Sequence, residues 1–212
     1  MGADVCEVLG SLERDRCTGV VRVGGDGAFH VDRGAVVRAE SRHVSAGAGL
    51  DPELSALLAM FDAAYFLLGS GAEPVFTEGA AGGDLRVTVA TLVHEQRRRR
   101  ARLDAAWPDG GVDLAPVVPV RRVRRQRVIL TGVQAEILLN ADGRRTPARL
   151  ARDLGRTAFG CLLAVRGLAA ASLVRTDPPE SAGESPRELP VEWAPPDHDV
   201  LDRLRTALVE LG

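Results

Sequence analysis

The stretch "GRRTPARLARDLGRTAFGCLLAVRGLAAASLV", residues 143–174, predicts two helices joined by a tight turn. Thr146 followed by Pro147 suits the start of the first helix, because threonine caps a helix N-terminus and proline is tolerated at its first position. Gly155 is placed to end that helix, since glycine readily adopts the left-handed backbone that follows a helix. The pattern is that of a helix-turn-helix, and it decides the expected fold of this half of the chain.

A further helix is predicted just upstream, with Thr131 as its N-cap and Gly143 as its stop. The segment "SLVRT", residues 172–176, is predicted to be a strand that begins a wing. Three helices with tight turns followed by a strand form the winged helix-turn-helix plan. Residues 128–176 are therefore predicted to be a winged helix-turn-helix domain.

The helix in the recognition position, residues 157–171, carries few side chains that read bases. Base readout uses Arg, Lys, Asn, Gln, Ser or Thr, and this helix offers at most Thr157 and Arg166. Such small, apolar surfaces instead suit close packing against another helix or a partner protein. If the module binds DNA, the expected contacts are phosphate contacts from Arg121, Arg122, Arg124, Arg125, Arg127, Arg144, Arg145, Arg149, Arg152 and Arg156.

Residues 1–83 are predicted to be α+β, a small antiparallel sheet with helices packed against it. An amphipathic helix near the N-terminus precedes the sheet, and a helix capped by Asp51 covers residues 51–61. Glycine-containing turns separate the first strands, as tight hairpins require. The predicted strands are residues 18–23, 28–32, 35–41, 63–68 and 73–79.

Residues 84–127 are predicted to connect the two units through a long helix and an arginine-rich linker. Asp84 is the expected N-cap of a helix reaching Trp107, with the basic run "RRRRAR" at its end. Residues 86–166 hold 17 arginines against seven acidic residues, although the whole chain has a net charge of −2 and contains no lysine. A basic block between acidic ends indicates a negatively charged partner, such as DNA or an anionic protein.

The C-terminal part of the sequence divides into two segments. Residues 177–196 are rich in Pro, Glu and Ser and are predicted to be a flexible linker. Residues 197–212 are predicted to be an amphipathic docking helix, whose apolar stripe includes Leu201, Leu204, Leu208 and Leu211. A helix this short is marginal in water by itself. It is expected to dock on its own chain, on a second copy in a homodimer, or on another protein.

Several function classes lack their signatures in this sequence. There is no nucleophile elbow, phosphate-binding loop or dinucleotide fingerprint, and the histidines and cysteines show no metal-ligand spacing. A non-enzyme without cofactor or metal is therefore expected. No apolar stretch approaches the roughly 20 residues that span a bilayer. Without a visible signal peptide, the expected location is the cytoplasm, with no membrane contact.

The N-terminal unit resembles the PATAN domain family of bacterial signalling proteins. The stretches that carry the resemblance are "GSLERDRCTGVVRV", "AFHVDRGAVVRAES", "LSALLAMF" and "EPVFTEG", within the first 80 residues or so. The resemblance implies a non-catalytic protein-interaction module in a small-GTPase or response-regulator pathway. The segment "DRC" before Thr18 departs from the family, whose helix is longer and richer in leucine.

The C-terminal unit resembles the winged helices of actinobacterial regulators. The matching positions are Asp142, Gly143, Arg145, Thr146, Leu150, Ala151, Leu154, Gly155, Leu173 and Val174. Two functions follow as hypotheses. The first is a transcription-associated regulator that binds DNA mainly through phosphates. The second is an adaptor whose winged helix binds protein.

Overall fold

The computed structural model describes residues 4–44, 51–83, 85–120 and 127–175, all within one compact unit, Met1–Thr176. The described chain is α+β, with a four-stranded antiparallel sheet and seven helices. In chain order the elements are α1 Val5–Asp15, β1 Gly19–Val23, β2 Gly27–Asp32, β3 Ala35–Ser41, α2 Pro52–Leu68, β4 Pro74–Glu78, α3 Val89–Ala106, α4 Gly111–Leu114, α5 Gly132–Asn140, α6 Pro147–Asp153 and α7 Ala158–Ala170. None of these helices is long and apolar enough to cross a membrane.

The sheet has the strand order β3-β2-β1-β4, and neighbouring strands are antiparallel. The predicted hairpins β1–β2 and β2–β3 are confirmed. Gly34, with a φ of +82°, forms the second turn, and a Cβ there would lie 2.7 Å from the carbonyl oxygen of Glu13 in α1. Val21 in the middle of β1 faces Phe29 of β2 on one side and Phe76 of β4 on the other.

One face of the sheet is covered by helices and forms the first hydrophobic cluster. Alternation along β1 and β2 places their apolar side chains on this face, as period-2 patterning requires. The buried members of the cluster are Val5, Leu9, Leu12, Val21, Val23, Phe29, Val31, Val36, Met60, Ala64, Leu67, Leu68, Val89 and Leu92. Helices α1 and α2 and the first turns of α3 therefore share one core with the sheet.

Helix α2 corrects the prediction of a strand at residues 63–68. The helix begins after Asp51, whose carboxylate caps the backbone N–H groups of Glu53 and Leu54, and it continues to Leu68. The segment "AAYFLL" is apolar at every position, so its pattern does not distinguish a strand from a buried helix. Burial at helical spacing decides for the helix, and β4 is the only strand that follows α2 in the described residues.

Helix α3 also begins later than predicted, at Val89 with Thr88 as its N-cap. Val87 is held in extended conformation, because its N–H and C=O both bond to Val36 of β3 at 2.9 Å. That pairing prevents the helix from starting further upstream. The predicted cap, Asp84, lies outside the described residues.

The second hydrophobic cluster forms where α4–α7 pack together around Ile137, Leu150, Val165 and Leu168. The predicted caps Thr131 and Thr146 are confirmed, since the hydroxyl of each accepts a backbone N–H three residues on. The structure adds a third cap of the same kind at Thr157, whose hydroxyl accepts the N–H of Gly160. Gly155 has the expected positive φ, +63°.

The expected wing strand at residues 172–176 is reduced to an isolated bridge between Val174 and Pro119. The backbone on both sides of Val174 is bonded to the same segment, with Val120 donating to Leu173 and Arg175 donating to Val118. Leu173 and Val174 are themselves buried in the second cluster. These residues therefore close the helical core, and within the described chain they do not start a β-hairpin.

Candidate functional site

Helix α7 occupies the position predicted for the recognition helix, and it is buried on nearly every side. It packs against α3, α4, α5 and α6. Ala170 is the only exposed residue between Ala158 and the end of the helix. The helix is largely apolar, and a helix that is apolar all round belongs in a protein interior.

The least buried stripe of α7 carries no hydrogen-bonding side chain. It consists of Phe159, Gly160, Leu163 and Gly167, which share one face at helical spacing. A Cβ at Gly167 would lie 2.6 Å from the amide nitrogen of Gln134, so α5 approaches α7 closely there. Base edges in a DNA groove would meet neither donors nor acceptors from side chains on this stripe.

Arg166 is buried, which corrects the expectation that it lies on an outward face of the recognition helix. The residue is 3% exposed. Its guanidinium donates from Nε and Nη2 to the two carboxylate oxygens of Asp113, at 2.9 and 2.7 Å. Nη1 donates to Asp104 at 2.9 Å and to the carbonyl of Trp107 at 2.7 Å. The hydrogen bonds to Asp113 raise the pKa of Arg166, and their effect exceeds the opposing effect of burial. Arg166 holds α7 to α3 and α4.

Thr157, the other predicted recognition residue, is half-buried and serves as the N-cap of α7. Its hydroxyl accepts the N–H of Gly160 at 3.3 Å. The next two N–H groups are bound from outside the helix: Asp62 of α2 accepts from Ala158 at 2.6 Å and from Phe159 at 3.4 Å. The N-terminus of α7 is therefore occupied by groups of the protein itself.

Asp62 also receives a buried ion pair from α3. Nη1 of Arg99 donates to Asp62 at 2.5 Å, and Nε of Arg99 donates to Glu95 at 2.8 Å. The guanidinium carbon of Arg99 lies 4.7 Å from the ring centre of Phe159 and 5.6 Å from that of Phe61, within cation–π range. Burial raises the pKa of Asp62, and Arg99 opposes that rise. This Asp62–Arg99 network joins α2, α3 and α7.

The predicted phosphate-binding arginines fall into three groups. Arg121, Arg122, Arg124 and Arg125 lie outside the described residues. Three others already have partners within the chain: Arg145 bonds Asp142 and Asp153, Arg156 bonds Glu136, and Arg152 donates to the carbonyl oxygen of Arg42. The last group is exposed and has no side-chain partner among the described residues: Arg127, Arg144 and Arg149.

Three exposed arginines on α3, Arg97, Arg100 and Arg102, add to the positive surface. The sequence indicated only a basic helix end at this place. It did not separate Arg99, which is buried, from its neighbours. The one available signal for the network was Asp62 itself, a lone charge inside the apolar run "SALLAMFDAAYFLL".

An open groove of about 880 Å³ runs beside β3 and α2. Its lining is mostly apolar and includes Val37, Ala39, Met60 and Leu85, with Glu40 also present. Across the described ranges, no three His, Cys, Asp or Glu side chains are grouped to hold a metal ion. The predicted docking residues Leu201, Leu204, Leu208 and Leu211 lie outside the described residues.

Comparison with known proteins gives no relative: no protein-family model, no curated protein and no solved structure matches this chain.

Proposed function

We propose that this protein is a non-enzymatic, cytoplasmic adaptor that binds other proteins, with a PATAN-like sheet unit and a winged-helix-like helical unit. The observation that carries the proposal is the burial of α7. Its single charged side chain, Arg166, is buried and donates hydrogen bonds to Asp113 and Asp104. A helix covered by α3 and α4 does not enter a major groove without rearrangement of the core.

Exposed apolar side chains on the helical unit support a protein partner. Ile129, just before α5, is 95% exposed, and Leu139, near the end of α5, is 86% exposed. Leu114 at the end of α4 is also exposed. Apolar side chains of this kind supply the buried centre of many protein interfaces. The PATAN resemblance supplies the partner class, a small GTPase or a response regulator.

The test is isothermal titration of the full chain with two classes of candidate partner: a small GTPase in its GDP and GTP-analogue forms, and a receiver domain with and without beryllofluoride. We expect micromolar binding to one of these states, retained at 0.3 M salt. The double variant Ile129→Ser/Leu139→Ser is expected to bind about tenfold more weakly. The matched control is Leu54→Ser, an exposed leucine on α2. Binding to none of these partners would contradict the adaptor proposal.

A second candidate function is DNA binding through phosphates in a transcription-associated regulator. The observation that favours it is the set of exposed arginines without a described partner, Arg127, Arg144 and Arg149. Phosphate contacts need positive charge and no base-reading helix, so the buried α7 is compatible with this mode. Weak sequence preference is expected.

A salt series separates this candidate from the adaptor. Fluorescence anisotropy with mixed-sequence duplex DNA measures the slope of log K against log salt, to which each phosphate contact contributes about 0.9. The triple variant Arg127→Ser/Arg144→Ser/Arg149→Ser is expected to flatten the slope by about 2.7. A control with equal charge loss is Arg14→Ser/Arg22→Ser/Arg38→Ser on the sheet unit. Equal flattening in both variants would reject a localised phosphate site, and a chain that stays unbound at low salt would reject DNA binding.

A further inference from the structure

The outer edge of β4 has no neighbouring strand among the residues that the structure describes. Strand β4 forms one end of the sheet and pairs only with β1 in the described chain. The N–H of Gly79 donates to the carbonyl of Thr18, which makes this pair a hydrogen-bonded pair of the ladder. Because such pairs alternate in antiparallel strands, Val75 and Thr77 also bond to β1. The backbone N–H and C=O groups of Phe76 and Glu78 therefore point away from the sheet.

The opposite edge, at β3, is treated differently. Val87 bonds to Val36 through both backbone groups, and a Cβ at Gly83 would lie 2.5 Å from the carbonyl oxygen of Val37. The segment before α3 thus covers part of that edge. No corresponding segment of the described residues covers β4, although uncovered edges are templates for another strand.

The side chains of β4 suit strand addition. Val75 is 58% exposed and Thr77 is exposed, and both are β-branched residues that favour extended backbone. Phe76 is half-buried against the core, opposite Val21. Pro74 removes one outward N–H at the start of the strand, so the available backbone groups concentrate at Phe76 and Glu78.

The charge at this edge is negative at both ends. Glu73 and Glu78 are exposed, and neither forms an ion pair with another described residue. The nearest positive side chain on the same strands, Arg22, lies opposite Val75 on β1. An added strand would lie two strand spacings from β1, about 10 Å away. Glu73 and Glu78 therefore dominate the charge that an incoming segment meets.

This charge disfavours a second copy of the chain. Twofold pairing of two β4 strands about Phe76 would place each Glu78 opposite Pro74 of the other copy, which has no N–H to complete the ladder, and would bring the negatively charged ends of the two strands together. A segment with basic residues at these places would gain the opposite interaction.

We propose that the outer edge of β4 binds an extended segment of a partner protein by strand addition, with the partner's basic residues placed against Glu73 and Glu78. Hydrogen bonds between the partner's backbone and the backbone of Phe76 and Glu78 give affinity that does not depend on the partner's sequence. Specificity comes from the partner's basic side chains, which pair with Glu73 and Glu78. This surface deepens the proposed adaptor function and rests on it.

The experiment follows backbone amide shifts of the full chain by NMR during titration with a capped seven-residue peptide, which has arginine at both ends and alternating threonine and valine between. A second peptide has glutamate at both ends and is otherwise identical. We expect shifts confined to β4 and β1, and affinity about tenfold higher for the basic peptide. In the variant Glu73→Arg/Glu78→Arg the preference is expected to reverse.

A pair of variants at one position tests the backbone contact. Glu78→Pro removes the outward N–H, whereas Glu78→Gln removes the same charge and keeps the N–H. The proline variant is expected to bind the basic peptide about fivefold more weakly than the glutamine variant, the loss typical of one hydrogen bond. Intact β1–β4 amide shifts in both variants confirm that the sheet is retained.

Three outcomes would overturn the inference. They are equal affinity for both peptides, shifts located away from β4, and concentration-dependent shifts at Phe76 and Glu78 without peptide, which would indicate a second copy at this edge. The failure of this inference is distinguishable from that of the adaptor function. If the protein binds a GTPase or receiver domain but neither peptide shifts the amide signals of β4, the adaptor function stands and another surface binds the partner.

Discussion

Replacing Asp62 with alanine tests whether the Asp62–Arg99 network holds α2, α3 and α7 together. The change removes the acceptor for Nη1 of Arg99 and for the backbone N–H groups of Ala158 and Phe159. Asp62 is 3% exposed and Arg99 is 4% exposed, so water does not replace the lost partner without opening the core.

The expected cost follows from two contributions. Removing one partner of a buried ion pair costs about 3–5 kcal/mol, and the lower end applies because Arg99 keeps its bond to Glu95. Loss of the acceptor at the N-terminus of α7 adds about 1 kcal/mol. The free energy of unfolding should therefore fall by about 4 kcal/mol. For a chain of this size, that lowers Tm by about 8–16 °C.

Urea unfolding followed by far-UV circular dichroism measures this change, with the exposed Asp15→Ala in α1 as a control expected to change stability by less than about 0.5 kcal/mol. The double variant Asp62→Leu/Arg99→Met removes both charges and should recover most of the loss, since replacing both partners of a buried pair with apolar residues is often neutral. A loss below about 1 kcal/mol for Asp62→Ala would refute the reasoning, as would a double variant no more stable than the single one.

Three further predictions follow from the described contacts. Arg166→Ala leaves Asp113 without its bidentate partner and should lower unfolding free energy by about 3 kcal/mol in the same urea assay, whereas the exposed Arg156→Ala should cost less than about 1 kcal/mol. Hydrogen bonds from Arg98 and Arg99 lower the pKa of Glu95 from 4.5 to about 2, so the stability that ionised Glu95 contributes is complete above pH 4.5 and is lost as pH falls toward 2. In an acid titration, the unfolding free energy of Glu95→Gln should therefore fall less steeply over this range than that of the unchanged protein. Identical pH profiles for the two proteins would contradict this assignment. Burial raises the pKa of Cys161 to about 12, so this thiol should react with a disulfide reagent only when urea unfolds the protein. The measurement uses a variant in which Cys6 and Cys17 are changed to serine. Labelling of this variant in its native state would contradict the buried position of Cys161.

The starts of α2, α5 and α6 were predictable because their signals are local. A threonine or aspartate cap bonds to N–H groups two or three residues away, as Thr131, Thr146 and Asp51 do here, so the information lies inside a short window. The hairpin strands were predictable for the same reason, from alternation and a nearby glycine turn. The strand predicted at residues 63–68 was wrong because an unbroken apolar run has no periodicity to read.

Burial of individual charges was not predictable, because it depends on contacts between distant parts of the chain. Four consecutive arginines occur at residues 97–100, and only Arg99 faces Asp62, which lies 37 residues earlier. Arg166 seemed available as the one charge on its helix, yet its partner Asp113 is 53 residues away. Identical side chains in one run differ only in the direction they take from the helix axis and in what lies there.

The sequence by itself determined the starts of α2, α5 and α6 and the hairpins of the sheet, since capping, turn formation and alternation act over a few residues. The length of α2 and the start of α3 were decided by packing and by the pairing of Val87 with Val36. Only the tertiary structure decided which surfaces are free. The packing of α3 and α4 onto α7 buries the helix that the local pattern marks as a recognition helix. The pairing of Val87 with Val36 covers part of one sheet edge, while no described segment covers the outer edge of β4. The exposure of a residue depends on the packing of the whole chain, because a side chain is accessible only where no other segment packs against it.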